Sequence, residues 1–235
     1  MRVTIVENTA LSRTGQIGIA LAEAGTRIDT VRAFAGDSLP SPPGDPGAPD
    51  ALVVLGGEQN ALADDSHPYL PALSRLMRAY AEAGRAVLGV CLGSQILARG
   101  CGGENQIGAA TEFGWHEVSL TGAGRRDPVL SAAGERFPIF QWHDDSFSLP
   151  PGAVHLARSC GAERQAFRFG RAAYGTQFHF EANRAVVEDW VRTFPALIEA
   201  KAPGWIAEHR ALAADRGGTA DAAGLAIARA WVARI

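Results

Sequence analysis

Clusters of basic residues are missing from this sequence, as are long apolar runs, closely spaced cysteine pairs and a phosphate-binding glycine loop. Each absence excludes something. The net charge is −3, and nucleic acids and anionic membrane surfaces attract clustered positive charge. Neither is expected as a partner. The apolar run nearest the start, Val3 to Val6, is far too short for a membrane span or a signal peptide. The three cysteines, Cys91, Cys101 and Cys160, are odd in number and widely spaced. They make neither a disulfide framework nor a zinc site, so no metal is expected, and a reducing cytoplasm is the expected compartment. Gly122-Ala-Gly124 lacks the spacing of a phosphate loop, so no ATP site and no cofactor are expected.

What is present reads as a globular enzyme-sized chain. Hydrophobic residues make up 47% and charged residues 20% of 235 positions, ordinary values for one α/β domain spanning residues 1–235. Val3 to Val6 reads as a strand, Gly15 to Ala24 as a helix and Thr26 to Phe34 as a second strand. Gly36 to Asp50 is rich in Pro, Gly and Asp and reads as a surface loop. Ala51 to Leu55 is a buried strand, followed at once by Gly56-Gly57-Glu58. Pro68 to Ala83 reads as a helix. This alternation predicts a doubly wound, mostly parallel sheet, with ligands outside the carboxyl ends of its strands.

The run Arg85 to Arg99 carries the chemistry. Ala86 to Val90 reads as a buried strand and Ser94 to Arg99 as a helix, with Cys91 at the join between Gly89 and Gly93. This is the pattern of a nucleophile elbow, a sharp strand-to-helix turn that lifts one side chain above the sheet. A thiol there meets the positive end of a helix, which favours the thiolate. Free cysteine is also among the most buried residue types, so the thiol taken alone fits a structural role equally well.

After Gly102-Gly103 come short strand-like segments at Trp115–Leu120, Ile139–Trp142, Val154–Ala157, Gln165–Phe169 and Ala172–Phe178. They predict a small antiparallel extension. Asn183 to Phe194 reads as helical, followed by helices at Pro203–Ala214 and Thr219–Ile235, with Gly217-Gly218 separating them. Of the six histidines, His179 ends an apolar strand, and Glu181 lies two residues on. In extended chain that spacing turns both side chains to one face. Such a pair supplies a base and the group that orients it.

Three motifs then stand in order: Gly56-Gly57, Gly89-Val-Cys-Leu-Gly-Ser-Gln95 and Gln177-Phe-His-Phe-Glu181. Together they resemble the signature of the class I, or triad, glutamine amidotransferases. Phe113-Gly-Trp-His-Glu-Val and Gln141-Trp-His-Asp-Asp-Ser-Phe147 resemble the branch holding the glutaminase domain of GMP synthase and its stand-alone relatives.

The resemblance implies a flavodoxin-like fold. It implies Cys91 as nucleophile, His179 as base and Glu181 as its orienter. It places an oxyanion hole at the amides of Gly57 and Leu92. It implies glutamine binding by Gln95 and by the segment Trp142, His143, Asp144 and Asp145, although two adjacent aspartates also suit an exposed acidic turn. Two positions depart from the family pattern. Phe180 stands where proline usually separates His and Glu, and Glu58 stands where proline often follows the glycine turn. Glu58 thereby adds an N–H near the oxyanion hole.

The expected activity is release of ammonia from glutamine through a γ-glutamyl thioester, the ammonia passing to a separate synthetase subunit. Two alternatives stand beside it: a peptidase acting on γ-glutamyl peptides or conjugates, and a non-catalytic relative that binds a metabolite or partner.

Overall fold

The computed structural model describes residues 1–235. Its first half alternates strand and helix: β1 (Arg2–Glu7), α1 (Gly15–Glu23), β2 (Arg27–Arg32), β3 (Ala51–Val54), α2 (Leu70–Glu82), β4 (Ala86–Val90) and α3 (Leu92–Gly100). Every residue of β3 and β4 is buried. Successive side chains of a strand point to opposite faces. Accordingly Val53, Leu88 and Val90 join one apolar core, while Leu52, Val54 and Val87 join another. Ile17 and Leu21 of α1 close the first core; Leu73 and Met77 of α2, with Ile96 of α3, close the second. Strands without polar positions fit only where helices cover both faces.

The second half supplies β5 (Asn105–Gln106), β6 (Glu112–Leu120), β7 (Arg136–His143), β8 (Ser146–Phe147), β9 (Val154–Ser159), β10 (Ala166–Phe169) and β11 (Ala173–Thr176). One nine-stranded sheet runs in the order β2-β1-β3-β4-β11-β10-β9-β6-β7. The strands from β2 to β11 pair in parallel, and those beyond pair antiparallel. β5 and β8 form a separate antiparallel ribbon. One consequence positions the site. β11 returns to the middle of the sheet beside β4, with Gly175 opposite Gly89. The segments leaving both strands therefore emerge together on the carboxyl rim.

The C-terminal region departs from the sequence reading in two ways. After α4 (Arg184–Thr193), capped by the Asn183 side chain accepting from the Val186 amide, comes a further helix, α5 (Pro195–Lys201). Then α6 (Trp205–Leu212) and α7 (Gly218–Val232) run on through a π-turn at Ala213–Gly217 instead of breaking at Gly217-Gly218. Both glycines hold helical angles, with φ of −63° and −64°. Gly217 serves contact, not chain reversal: a Cβ there would stand 2.7 Å from Arg184 Cγ and Cδ. The missing side chain leaves room for the Arg184 stem, whose Nε donates to Asp221 on α7 at 2.6 Å. α7 packs Ile227 and Trp231 into the first core. No helix is long and apolar enough to cross a membrane.

Candidate active site

Cys91 is the only non-glycine residue with a positive φ, at 51° with ψ of −112°. Such a backbone costs on the order of 1–3 kcal/mol and persists only where its surroundings fix it. They do so here. The Cys91 amide donates to Thr176 O on β11 at 2.8 Å. Behind it, α3 sits hard on the sheet, since a Cβ on Gly93 would lie 2.0 Å from Val54 O. Glycine is required there because no side chain fits between helix and strand.

The thiol lies at the start of α3 and is buried. Gln177 Nε2 donates toward the sulfur at 3.6 Å, and the thiol faces Trp142 O at 3.7 Å. Gln177 Oε1 in turn accepts from Gln95 Nε2 at 3.1 Å.

His179 stands beyond the end of β11, held by its amide donating to Phe140 O on β7 at 2.9 Å. Its Nδ1 meets Glu181 Oε1 at 2.7 Å. Trp190 packs edge-to-face with the imidazole, with ring centroids 5.3 Å apart. Burial disfavours the imidazolium. The Glu181 carboxylate and the Cys91 sulfur outweigh it, so the His179 pKa is raised well above 6.5. The main-chain oxygen of Glu181 accepts from the Gln16 amide at 2.9 Å, fixing the orienting residue to α1. Phe180, at the usual proline position, is buried in the core beside α7.

Gly56 closes the other side. A Cβ on it would lie 3.3 Å from His179 Cε1 and 3.5 Å from Cys91 Cβ. The imidazole and the thiol thus border the same small space. A Cβ on Gly57 would meet Gln59 Oε1, Leu92 Cδ2 and Asn8 Cβ, all under 3.0 Å away. The turn is braced from below: Asn8 Nδ2 donates to Leu55 O at 2.7 Å, and Tyr69 Oη donates to Asn8 Oδ1 at 3.1 Å. Leu92 opens α3, so its amide belongs to the helix-start donors that have no intrahelical partner.

All ten residues singled out from the sequence border one cavity of about 770 Å³. They do not all face it in the same way. The His143 ring is turned behind the turn: Nε2 meets Glu112 Oε2 at 3.1 Å, and Nδ1 meets Asp145 O at 3.2 Å. Its side chain is 1% exposed. Asp144 Oδ1 accepts from Lys201 Nζ at 2.5 Å and from Thr111 Oγ1 at 3.0 Å. Asp145 Oδ1 accepts from the Gly108 amide at 2.8 Å. Burial pushes the Asp144 carboxyl up, but Lys201 and Thr111 outweigh it and hold it below 3.8. No three His, Cys, Asp or Glu side chains converge as a metal site.

Sequence reasoning missed Trp190, Lys201 and Leu197 as cavity residues. Trp190 comes from α4 and the other two from α5, far from every motif. One signal was available: Lys201 is the only lysine in the chain.

Several known proteins resemble this chain. The family model described as glutamine amidotransferase class-I matches residues 12–189. The glutamine amidotransferase-like protein YfeJ of Salmonella typhimurium is 32% identical over 197 residues, covering 82% of this chain and 80% of that one. The glutamine-hydrolyzing GMP synthase of Methanoculleus marisnigri has a subunit that is 36% identical over 121 residues, 49% of this chain and 64% of that one. The crystal structure of a glutamine amidotransferase from Methylobacillus flagellatus superposes with a TM-score of 0.85 at 27% identity, covering 100% of this chain and 95% of the other. The chain belongs to the class I glutamine amidotransferases.

Proposed function

We propose that this chain, acting as one domain, hydrolyses the γ-amide of glutamine through a thioester on Cys91. One observation carries the reading: the only side-chain-bearing residue with a positive φ is a cysteine at a helix start, and it shares a cavity with a buried His–Glu pair.

In the first half-reaction Cys91 Sγ attacks the γ-carbonyl carbon, and its proton resides on His179. The carbonyl oxygen becomes an oxyanion and accepts from the amides of Gly57 and Leu92. His179 passes the proton to the leaving nitrogen. The C–N bond breaks, ammonia departs and the γ-glutamyl group stays on sulfur. In the second half-reaction His179 takes a proton from water as the water oxygen attacks the thioester. The C–S bond breaks, the proton returns to sulfur and glutamate leaves. Glu181 holds the imidazole with Nδ1–H toward itself throughout, so the other nitrogen is free to move the proton. Gln95 acts by holding Gln177, whose amide faces the sulfur. Asp144 offers a carboxylate to the substrate ammonium.

A wider substrate range has its own support. The cavity, about 770 Å³, lies in the upper part of the roughly 300–1,000 Å³ range of small-molecule sites, more than a molecule of glutamine's size fills. Ile107 and Leu197, which border it, are half exposed. A γ-glutamyl conjugate would place its amine portion against them. The Methanoculleus relative is named as one part of a multi-subunit synthase, which supports transfer of the ammonia to a separate synthetase subunit.

The test is ammonia release from glutamine and from a panel of γ-glutamyl amides, by the wild-type protein and by Cys91→Ala. Release that depends on Cys91 supports the reading. Release undiminished in Cys91→Ala contradicts it.

A further inference from the structure

The substrate proposed above carries, at the end away from the scissile amide, an α-ammonium and an α-carboxylate. Removing either charge from water without a partner costs several kcal/mol. Asp144 accounts for the ammonium alone.

Lys201 is the only lysine among 22 basic residues. It ends α5, borders the cavity and is nine-tenths buried, its side chain being 10% exposed. A lysine ammonium has three N–H donors, and the structure assigns one of them, to Asp144 Oδ1. Asp144 Oδ1 carries both of that residue's side-chain contacts, from Lys201 and Thr111. Its second oxygen is left for another donor.

The pair thus presents an anion and a cation side by side, the mirror of an α-amino acid head. The reach also fits. Trp142 O lies against the Cys91 sulfur, and Asp144 stands two residues further along, at the bend that follows β7, so the two Cα atoms are at most about 7 Å apart. From the scissile carbon of glutamine to its α-nitrogen is four bonds of roughly 1.5 Å, or about 5 Å extended.

Resting on the glutaminase reading, we propose that Lys201 binds the α-carboxylate of the γ-glutamyl substrate while Asp144 binds its α-ammonium. Lys201 is then a specificity-determining residue that discriminates free α-carboxylates from amidated or peptide-linked ones. A compact ammonium suits this position because it can serve two carboxylates at once from one point. Lys201 stays paired with the half-exposed Asp144 when the site is empty, so it is not left as a lone buried charge.

The test uses covalent labelling of Cys91 in the full chain, read by intact-protein mass spectrometry. Two reagents carry a diazoketone in place of the glutamine amide, one with a free α-carboxylate and one with that group as a primary amide. Iodoacetamide, which has no amino acid head, reports the thiol itself. Wild type should label with the free acid at least about tenfold more efficiently than with the amide, as expected for a charge-assisted hydrogen bond. Lys201→Met should erase that preference and leave the iodoacetamide rate unchanged. Lys201→Arg, which keeps the charge, should restore part of it. A preference that survives in Lys201→Met, or its absence from wild type, overturns the assignment and leaves the glutaminase reading standing. Wild-type Cys91 that reacts with iodoacetamide and with neither diazoketone overturns the glutaminase reading itself, and this assignment with it.

Discussion

His179 Nδ1 stands 2.7 Å from Glu181 Oε1, and both side chains are more than nine-tenths buried. Glu181 Oε2 has no hydrogen-bond partner and is also buried. The carboxylate therefore depends on the imidazole for its stabilisation, and the imidazole on the carboxylate, since an unpaired buried charge is costly.

That dependence has a pH signature. The His179 pKa is raised above 6.5 despite burial, through Glu181 and Cys91. A raised histidine contributes stability that is complete below the unfolded value, about 6.5, and lost as pH rises through the folded value above it. Unfolding free energy of the wild type should fall as pH rises from near neutrality. Glu181→Gln should flatten that fall. Denaturant titrations between about pH 6 and 9 measure it. An equally steep fall in Glu181→Gln would remove the carboxylate as the cause.

Turnover should follow the same pair unequally. His179→Ala should cost about 10²–10⁴-fold in kcat, nearly as much as Cys91→Ala, because nucleophile and base act as a unit. Glu181→Gln should cost less, since it disturbs orientation and leaves the base in place. His143 cannot substitute, because both its ring nitrogens are engaged, by Glu112 and by Asp145 O. Retention of most activity in His179→Ala would contradict this assignment.

The three thiols should separate by reactivity. Burial pushes Cys101 up to about 11, so it should be inert at neutral pH. Cys160 is exposed, so access does not limit its labelling. Cys91, although buried, opens onto the cavity and faces His179, and should alkylate fastest. Peptide mapping after brief treatment with iodoacetamide gives the order. Equal labelling of Cys91 and Cys160 would speak against an activated nucleophile.

The two adjacent aspartates should differ. Asp144→Asn should raise KM for glutamine by about ten- to a hundredfold, the range for losing a charge-assisted hydrogen bond. The iodoacetamide rate at Cys91 should not change. Asp145→Asn should shift KM far less, because Lys201, the cation proposed to hold the neighbouring α-carboxylate, pairs with Asp144 and not with Asp145, whose Oδ1 accepts from the Gly108 amide. Steady-state kinetics of the two variants and their double decides this. A wild-type KM in all three would remove the turn as the ammonium site.

Much of this arrangement was legible in the chain because it is written locally. Strand, cysteine and helix are contiguous, and β3 and β4 carry uninterrupted buried runs that fit a sheet covered on both faces. What was not legible depends on contacts distant in sequence. Gly217-Gly218 reads as a break, yet both residues hold helical angles, with the distant Arg184 side chain lying where a Cβ on Gly217 would stand. α5 is seven residues long, too short for periodicity to mark it. Its Lys201 reaches Asp144 across 57 positions, and Trp190 meets His179 only after α4 folds over the rim. The ring of His143 turns away from the cavity because Glu112, on the neighbouring strand, draws it.

The central claim is that Cys91 carries the substrate acyl group. Its most direct test is intact-protein mass spectrometry after rapid acid quench of the wild-type protein with glutamine. The expected species is heavier than the free protein by one γ-glutamyl group, maps to Cys91, and disappears in Cys91→Ala. Ammonia release during turnover, with no such adduct on Cys91 under any quench time and undiminished rate in Cys91→Ala, would contradict the account.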